Sequence, residues 1–280
     1  MTTTVLLTGA TGFVGRHVLH ALADRGVRVR SVVRDRAGAL PVALEGGEAV
    51  VTTPDLFAEG SDWWANACRG VDTVIHVAWY VDPDDYLQSA KNIECLVGTL
   101  ELARGAAAAG VRRFVGVGTC LEYDLTGGMQ SVDTAIRPLT PYAGAKAAAF
   151  MALSSWLPRA GVEFAWCRLF YLHGEGENSR RLVPSVRDRL AAGQPADLTS
   201  GDQIRDYLDV SVAGRMITDI AFGAEQGPVN ICSAMPITVR QLVEGIADEY
   251  GRRDLLRFGA RPDGIGDPPC VVGARDTVSF

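Results

Sequence analysis

Residues 8–15, "TGATGFVG", restrict the possible folds of this 280-residue chain more than any other segment. They place Gly9, Gly12 and Gly15 between an apolar, β-branched run and a helical pattern. Glycine at these positions allows a tight turn, close backbone approach to a pyrophosphate and close helix–strand packing. The following helix would offer free N–H groups and its positive dipole end to phosphates. Because the motif follows the first strand and opens the first helix, it predicts a dinucleotide-binding βαβ unit.

Short β-branched runs alternate with longer helical patterns through the first half of the chain. The predicted strands lie at about 4–9, 28–34, 48–53, 72–78, 113–119 and 162–174, and the predicted helices at about 15–26, 61–70, 92–110 and 140–161. Such alternation indicates parallel βαβ connections. We therefore predict an α/β fold, a Rossmann-type doubly wound parallel sheet with a smaller, partly interleaved C-terminal substrate region.

The predicted domain organisation follows from where this regular pattern ends. Residues 1–165 form the NAD(P)-binding domain, to which the strand at about 162–174 and a helix at about 210–223 return. Residues 175–280 form a mainly substrate-binding region, in which a helix is expected to open at Thr238, a favourable N-cap.

Composition and charge argue against several classes of protein. A net charge of −6 disfavours a nucleic-acid surface, since neutralising phosphates needs clustered Lys and Arg. The six cysteines show no CxxC spacing, which argues against a zinc site and for free thiols in a reducing compartment. The N-terminus reads as a strand instead of a signal peptide, and no window approaches the ~18 apolar residues that span a bilayer. We predict a cytoplasmic protein with no metal, no nucleic-acid partner and no membrane partner.

The residue after the second predicted strand bears on the choice of cofactor. An acidic residue there would hold the ribose 2′-OH of NAD, whereas arginine accommodates the 2′-phosphate of NADP. This chain has Arg34 at that point, and a guanidinium matches phosphate geometry, so NADP(H) is favoured. NAD(H) stays possible, because Arg34 can be a solvated loop cation while Asp35 reaches the ribose.

Tyr142 and Lys146, in "PYAGAKAAAF", are four residues apart and therefore share a helix face. A surface tyrosine beside a solvated lysine is the alternative interpretation. Hydride transfer to a ketone builds negative charge on oxygen, which needs a nearby acid and a hydrogen-bond donor. A free tyrosine, with a pKa of ~10, is a poor partner at neutral pH. We predict that the Lys146 ammonium lowers the pKa of Tyr142 and so makes the phenol useful.

In their order along the chain, these motifs resemble those of the extended short-chain dehydrogenase/reductase family, in particular its nucleotide-sugar epimerase, dehydratase and reductase branch. The likeness runs through nearly the whole chain. Beyond the glycine motif, it rests on "PDLF" at 54–57, "VIHVAW" at 74–79, a helix beginning at Asn92, "VGTCLEY" at 117–123, "YAGAK" at 142–146, "RLFYLHGEG" at 168–176, "RLVP" at 181–184 and "SGDQIRDYLDV" at 200–210.

The resemblance implies a role for each matching residue. Tyr142 would be the proton donor or acceptor, Lys146 would lower its pKa and bind the nicotinamide ribose, and Thr119 would hydrogen-bond the reacting oxygen. The predicted cofactor contacts are Gly9, Thr11, Gly12, Phe13, Val14, Gly15, Arg34, Asp55, Leu56, Ala78, Tyr142 and Lys146. The predicted substrate contacts are Cys120, Glu122, Asn178, Arg180, Arg181 and Arg205. The arginines resemble a nucleotide-diphosphate clamp, for which bidentate guanidinium contacts are suited, and a generic basic loop is the alternative.

The residues after Thr119 distinguish the reactions of this family. Its 4,6-dehydratases carry Asp-Glu directly after the threonine, whereas this chain has Cys120 and Leu121, so a dehydratase is not expected. Glu122 is one position late and, on an alternating strand, would face the opposite side.

The chain looks most like the 4-ketoreductases that act on nucleotide-linked 4-keto-6-deoxy sugars, and Arg34 also favours a reductase. The alternatives are a 4-epimerase with tightly bound NAD and a non-catalytic NADP-binding protein on the same fold. The resemblance further implies a homodimer formed through the helices that contain Asn92 and Tyr142.

Overall fold

The computed structural model describes residues 3–34, 48–264 and 266–275. Its helices are α1 Phe13–Asp24, α2 Ser61–Ala67, α3 Lys91–Ala108, α4 Pro141–Trp156, α5 Leu182–Ala191, α6 Val210–Phe222 and α7 Val239–Tyr250. Its strands are β1 Thr4–Thr8, β2 Arg28–Val33, β3 Glu48–Thr52, β4 Thr73–His76, β5 Arg113–Thr119, β6 Met129–Gln130, β7 Glu163–Leu169, β8 Tyr171–His173, β9 Ala196–Asp197, β10 Ile204–Asp209, β11 Gly227–Ile231, β12 Pro236–Thr238, β13 Leu256–Arg257 and β14 Cys270–Gly273.

The larger sheet has seven strands in the order β11-β7-β5-β4-β1-β2-β3, and each neighbouring pair is parallel. The predicted α/β fold with a doubly wound parallel sheet is therefore confirmed. Successive side chains of a strand point to opposite faces, so Val5 and Leu7 enter one hydrophobic core and Leu6 enters the other. A parallel sheet that is covered on both faces needs such nearly continuous apolar strands.

Helices cover both faces of this sheet. Val18 of α1 and Ile217 of α6 pack in the core on one face. Trp64 of α2, Leu102 of α3 and Leu153 of α4 pack in the core on the other face. The strand order reverses between β1 and β4, and ligands of open α/β sheets bind in the crevice outside the carboxyl ends at such a point.

The predicted strand at 162–174 divides between two sheets. β7 lies in the larger sheet, whereas β8 pairs in parallel with β10, which belongs to a smaller sheet of order β12-β10-β14-β6. α5 and α7 pack around a separate core that contains Val186 and Ile246. The helix predicted at about 210–223 is α6, which returns to the larger sheet. The division into domains at 1–165 and 175–280 stays a prediction.

Several features inferred from composition can be compared with this fold. Each of the six cysteines is an unpaired thiol. Within residues 3–34, 48–264 and 266–275, no group of His, Cys, Asp and Glu side chains is arranged to hold a metal ion. Over the same residues, every helix is too short or too polar to cross a bilayer.

Candidate active site

The glycine turn follows β1 at the crevice between β1 and β4. Gly9 has a φ of +77°, and a Cβ built on it would lie 2.8 Å from the backbone nitrogen of Ala78. A Cβ on Gly15 would lie 1.9 Å from the carbonyl oxygen of Gly9. The Gly12 N–H donates to that same oxygen at 2.9 Å and closes the turn. Both contacts are too short for any side chain, so the close approach of α1, the turn and the segment after β4 requires glycine.

The N-terminus of α1 has the properties of a phosphate-binding site. Gly12 is the N-cap and provides no side-chain cap, and the first helical turn holds no acidic residue. Thr11 and Gly12 are exposed, while Phe13 and Val14 are half-buried. The first N–H groups of a helix have no intrahelical partner, so this end can receive a pyrophosphate. The residues present therefore fit a bound dinucleotide.

The predicted contacts to the adenosine end lie after the neighbouring strands β2 and β3. Arg34 is exposed directly after β2, and Asp35 lies outside the described residues. Asp55 is exposed and its Oδ1 accepts the Phe57 N–H at 2.9 Å, which shapes the turn that contains the half-buried Leu56. Since parallel strands end at a common edge, these residues lie along the same edge of the sheet as the glycine turn.

Thr119, Tyr142 and Lys146 come from the end of β5 and the first two turns of α4. Thr140 is the N-cap of α4, and its hydroxyl accepts a backbone N–H at 3.2 Å, while Pro141 occupies the first helical turn. Tyr142 and Lys146 therefore lie one helical turn apart on one face, as predicted. The side chain of Thr119 lies close enough to Tyr142 to lower the pKa of its phenol. The structure thus brings these predicted side chains together.

Lys146 is enclosed between β5 and an aromatic ring. It is 2% exposed, and its Nζ donates to the carbonyl of Val117 at 2.6 Å. The same nitrogen lies 3.8 Å from the centroid of the Trp79 ring. Burial lowers the pKa of Lys146 to about 7, and the Glu122 carboxylate acts in the opposite direction. Lys146 is therefore closer to losing its proton at neutral pH than a solvated lysine is.

The phenol of Tyr142 is a weaker acid than the sequence predicts. Burial raises the pKa of Tyr142 above its ordinary value, although the nearby side chain of Thr119 lowers it. Its ring packs edge-on against Tyr86 and Trp79, at centroid distances of 5.1 and 6.4 Å. The sequence predicts a lowered pKa for Tyr142, whereas desolvation of the phenolate outweighs the other effects and raises it. A specific effect of Lys146 on this pKa stays a prediction.

The side chain of Glu122 is buried behind Thr119 and does not line the site. Cys120–Glu122 forms a 3₁₀ turn after β5, so the strand alternation used to place Glu122 does not apply. The carboxylate accepts the Thr119 N–H at 2.8 Å and the Trp166 Nε1–H at 3.0 Å, and it pairs with Arg168 Nε at 2.8 Å.

Two of the predicted substrate contacts are buried. Glu122 is 0% exposed and its carboxylate is paired with Arg168, so the structure does not bring it to the surface of the site, and its contact with a substrate stays a prediction. Cys120 is 4% exposed, and burial raises the pKa of its thiol to about 12. Neither side chain presents a surface on which a sugar could be held.

The predicted phosphate-binding residues separate into two groups. A cavity of about 300 Å³ is lined by Pro83, Asp84, Tyr86, Asn178, Arg180 and Arg181. Arg180 and Asp84 meet within it, with Nη1 2.6 Å from Oδ1. Arg205 does not join this group, because it is 3% exposed and its Nη2 donates to Asp267 at 2.6 Å. The structure therefore does not bring Arg205 to the other predicted clamp residues, and its role in binding a diphosphate stays a prediction.

Three residues that the sequence left unassigned border the site. Trp79 covers Lys146, Tyr86 packs on Tyr142, and Asp84 pairs with Arg180. A position for Trp79 near the site could have been predicted, because this residue directly follows Ala78, a predicted cofactor contact. Tyr86 and Asp84 lie in the segment between β4 and α3, which has no regular pattern.

The chain is similar to known proteins over most of its length. The profile of the NAD dependent epimerase/dehydratase family matches residues 5–232. The dTDP-6-deoxy-L-talose 4-dehydrogenase (NAD(+)) of Aggregatibacter actinomycetemcomitans is 24% identical over 97% of this chain and 99% of its own length. The dTDP-6-deoxy-L-talose 4-dehydrogenase (NAD(P)(+)) of Kitasatospora kifunensis is 27% identical over 94% of this chain and 84% of its own. The structure of MoeE5 in complex with UDP-glucose and NAD has a TM-score of 0.83 at 26% identity, covering 98% of this chain and 90% of that one.

Proposed function

This chain belongs to the NAD dependent epimerase/dehydratase family, and on that premise we propose that it is an NADP(H)-dependent 4-ketoreductase of nucleotide-linked 4-keto-6-deoxyhexoses. The proposal rests on the meeting of Thr119, Tyr142 and Lys146 at the sheet edge that also holds the glycine turn. The two relatives named as 4-dehydrogenases support the position of the reaction on the sugar. Dehydrogenation and ketone reduction are the two directions of one hydride transfer.

Each catalytic residue has a separate task in this reaction. The bound nicotinamide cofactor would supply a hydride to the C4 carbon. As negative charge builds on the carbonyl oxygen, Tyr142 gives that oxygen its phenolic proton and Thr119 donates a hydrogen bond to it. The ammonium of Lys146, one turn along α4, opposes the charge left on the phenolate. Burial raises the pKa of Tyr142, which keeps the phenol protonated at neutral pH but makes it a weaker acid, so the proposed proton transfer needs the Lys146 ammonium to stabilise the phenolate.

The nucleotide end of the substrate is assigned to the cavity between the segment after β4 and the loop before α5. Asn178, Arg180 and Arg181 are exposed there, and guanidinium groups suit bidentate contacts with a diphosphate. Arg180 already holds the Asp84 carboxylate, so a diphosphate has to replace it. Both partners are exposed, so this exchange carries little penalty.

The preference for NADP(H) is proposed from the exposed Arg34 after β2. A guanidinium at this position can pair with a 2′-phosphate, which NAD(H) lacks. The two relatives carry the labels NAD(+) and NAD(P)(+), so NAD(H) is the competing cofactor.

A dehydratase is disfavoured by the side chains next to Thr119. Elimination of water needs an acid–base pair at this point. Cys120 and Leu121 cannot shuttle protons as carboxylates do, and the Glu122 carboxylate is held by Arg168 and Trp166. Supplying a carboxylate from Glu122 would break a buried ion pair.

The test is turnover with nucleoside-diphosphate 4-keto-6-deoxyhexoses as substrates. We expect NADPH to be consumed in a one-to-one ratio with a 4-hydroxy product, and we expect Tyr142→Phe to lose this activity while retaining NADPH binding. Interconversion of C4 epimers by protein purified with NAD, without net use of cofactor, would replace the reductase with an epimerase. NADPH binding with no turnover of any such sugar would favour a non-catalytic protein.

We also propose a homodimer formed through α3 and α4. The two helices pack against each other, and together they expose a set of apolar side chains that supports this proposal: Ile93, Val97, Met151 and Trp156. A second copy of the chain would cover them. Light scattering coupled to size exclusion should give the mass of two chains, and Val97→Glu should reduce it to one.

A further inference from the structure

Trp79 links the cofactor crevice to the catalytic helix. Its Nε1–H donates to Oδ1 of Asn92 at 2.8 Å. Asn92 is fully buried on α3, and its Nδ2 donates to the carbonyls of Tyr86 and Ser89 at 2.6 and 2.9 Å. The indole plane is thus held from one edge by an oriented amide. Its face covers the Nζ of Lys146 at 3.8 Å.

The ammonium of Lys146 has few other sources of electrostatic stabilisation. The titratable groups that act on its charge come from α3, β4 and the 3₁₀ turn, namely Cys95, His76 and Glu122, while Tyr142 lies one helical turn before it on α4. Burial raises the pKa of Cys95 to about 11 and also raises that of Tyr142, so both stay protonated and neutral at pH 7. Burial lowers the pKa of His76 to about 3, so the imidazole is neutral as well.

The remaining charged group, Glu122, is already paired with Arg168 at 2.8 Å. Within residues 3–34, 48–264 and 266–275, Lys146 forms no ion pair. Its Nζ donates a hydrogen bond to the carbonyl of Val117. A cation over the face of an indole is attracted by the ring quadrupole, and this attraction is stronger when both groups are shielded from water. Two indole rings lie near the Nζ, and the Trp79 centroid at 3.8 Å is much nearer than the Trp166 centroid at 5.9 Å, so the Trp79 face is the one best placed to offset the burial of the ammonium.

We propose that Trp79 is a positioning residue whose indole face keeps the Lys146 side chain protonated and fixed beside Tyr142. The catalytic meaning of this pairing rests on the proposed function, whereas the pairing itself does not. Loss of the aromatic face would favour the neutral amine, and it would also free the Nζ to move away from the phenol. The effect on the reaction would be transmitted through Lys146, because Trp79 itself exchanges no proton.

The pairing can be measured without any substrate. The free energy of unfolding is determined by urea denaturation over a range of pH for the natural protein and for Lys146→Met. The free energy of unfolding of the natural protein minus that of Lys146→Met is constant where the lysine is protonated in both the folded and the unfolded state. This difference rises with pH once the folded lysine loses its proton, because the unfolded lysine still keeps its own. The pH at which the rise begins therefore reports the pKa of Lys146 in the folded protein.

The same pair of measurements is then made in a Trp79→Leu background. We expect the rise to begin about one pH unit lower, since a shielded cation–π contact is equivalent to roughly that shift. Trp79→Phe keeps an aromatic face but cannot donate to Asn92, and it should leave the onset within a few tenths of a unit of the natural one. Trp156→Leu removes a tryptophan from the end of α4, the helix that carries Lys146, and should leave the onset unchanged. Trp79→Met provides a second non-aromatic replacement if Trp79→Leu does not fold.

The outcomes separate the inference from the proposed function. A lowered onset in Trp79→Leu or Trp79→Met, but not in Trp79→Phe, supports the pairing. An onset that is unchanged without the aromatic ring overturns it, and so does an equal shift in Trp79→Phe, which would assign the effect to the Asn92 hydrogen bond. For the reaction, the basic limb of kcat/KM for NADPH-dependent reduction should move in the same direction as the onset, because the protonated lysine is the form that supports the reaction. If the natural protein reduces none of the candidate sugars, the proposed function fails while the stability measurements still decide the pairing.

Discussion

Arg168→Met should be among the most destabilising single changes next to the site, because it leaves a carboxylate buried without a cation. Arg168 and Glu122 are 1% and 0% exposed and meet at 2.8 Å. Without the guanidinium, the Glu122 carboxylate keeps the N–H groups of Thr119 and Trp166 as neutral donors. Removal of one partner of a buried pair costs about 3–5 kcal/mol, which corresponds to a fall of roughly 10 °C in Tm for a chain of this size.

The reverse substitution should be milder. After Glu122→Gln, the Arg168 guanidinium still lies over the rings of Tyr123 and Phe150, at 4.4 and 4.5 Å from their centroids. The glutamine oxygen can still accept a hydrogen bond, so we expect a loss of about 1–3 kcal/mol. The double variant should lose less than the sum of the two, since it leaves no unpaired charge in the interior.

Urea denaturation of the two single variants and the double variant, together with calorimetry, measures this cycle. Arg187→Met is a matched control, because Arg187 forms a two-point pair with Glu249 on the exposed surface of α5 and α7, and its Tm should not change. If Arg168→Met is no more destabilising than Arg187→Met, or if the two losses at Arg168 and Glu122 simply add, the argument from burial is refuted.

Four other substitutions test separate parts of the site. Gly15→Ala should weaken NADPH binding at least about tenfold in a fluorescence titration, because its Cβ would lie 1.9 Å from a carbonyl oxygen of the turn; unchanged affinity would contradict this packing. Arg34→Glu should lower kcat/KM with NADPH roughly tenfold and spare the NADH reaction, and equal losses with both cofactors would remove the basis for NADP(H) preference. Asp84→Ala should lower KM for the nucleotide sugar with kcat unchanged, because it frees Arg180; an increase in KM would mean that the pair shapes the cavity. Between about pH 7 and about pH 9, the natural protein should gain about 2 kcal/mol of stability relative to Lys146→Met, because the unfolded lysine keeps its proton there while the folded one loses it. If urea denaturation shows the same stability difference between the two proteins at both pH values, the pKa of Lys146 is an ordinary one.

Features set by local rules could be predicted from the sequence. The glycine turn at residues 9–15 is encoded by spacing and by its place between a strand and a helix. The N-cap role of Thr238 is another such case, since its hydroxyl accepts the Gln241 N–H at 3.0 Å. The shared face of Tyr142 and Lys146 follows from helical periodicity alone. In each case the interacting groups lie within a few residues of one another.

Features that depend on distant partners could not be predicted in this way. Arg205 reads as a free cation in "GDQIRDYLDV", yet its partner Asp267 lies 62 residues further along the chain. The position of Glu122 was misjudged because β5 ends at Thr119 and a 3₁₀ turn begins. The edge strand β11 was missed because it is short and begins with Gly and Pro, which weaken a strand pattern.

Tyr142 and Lys146 show why the relative position of two side chains could be predicted from the sequence while the direction of a pKa shift could not. A four-residue spacing says that a phenol and an ammonium share a face, but it says nothing about how much water remains around them. Burial disfavours both charged forms, so it raises the pKa of Tyr142 and lowers that of Lys146. A protonated phenol therefore lies one helical turn from a lysine whose pKa is lowered. Of the two directions of hydride transfer, reduction requires a phenol that can give a proton, and oxidation requires a phenolate that can take one. A phenol with a raised pKa holds its proton at neutral pH but gives it up less readily than a free tyrosine, so under the proposed function the Lys146 ammonium has to offset part of the cost of burial as the proton is transferred.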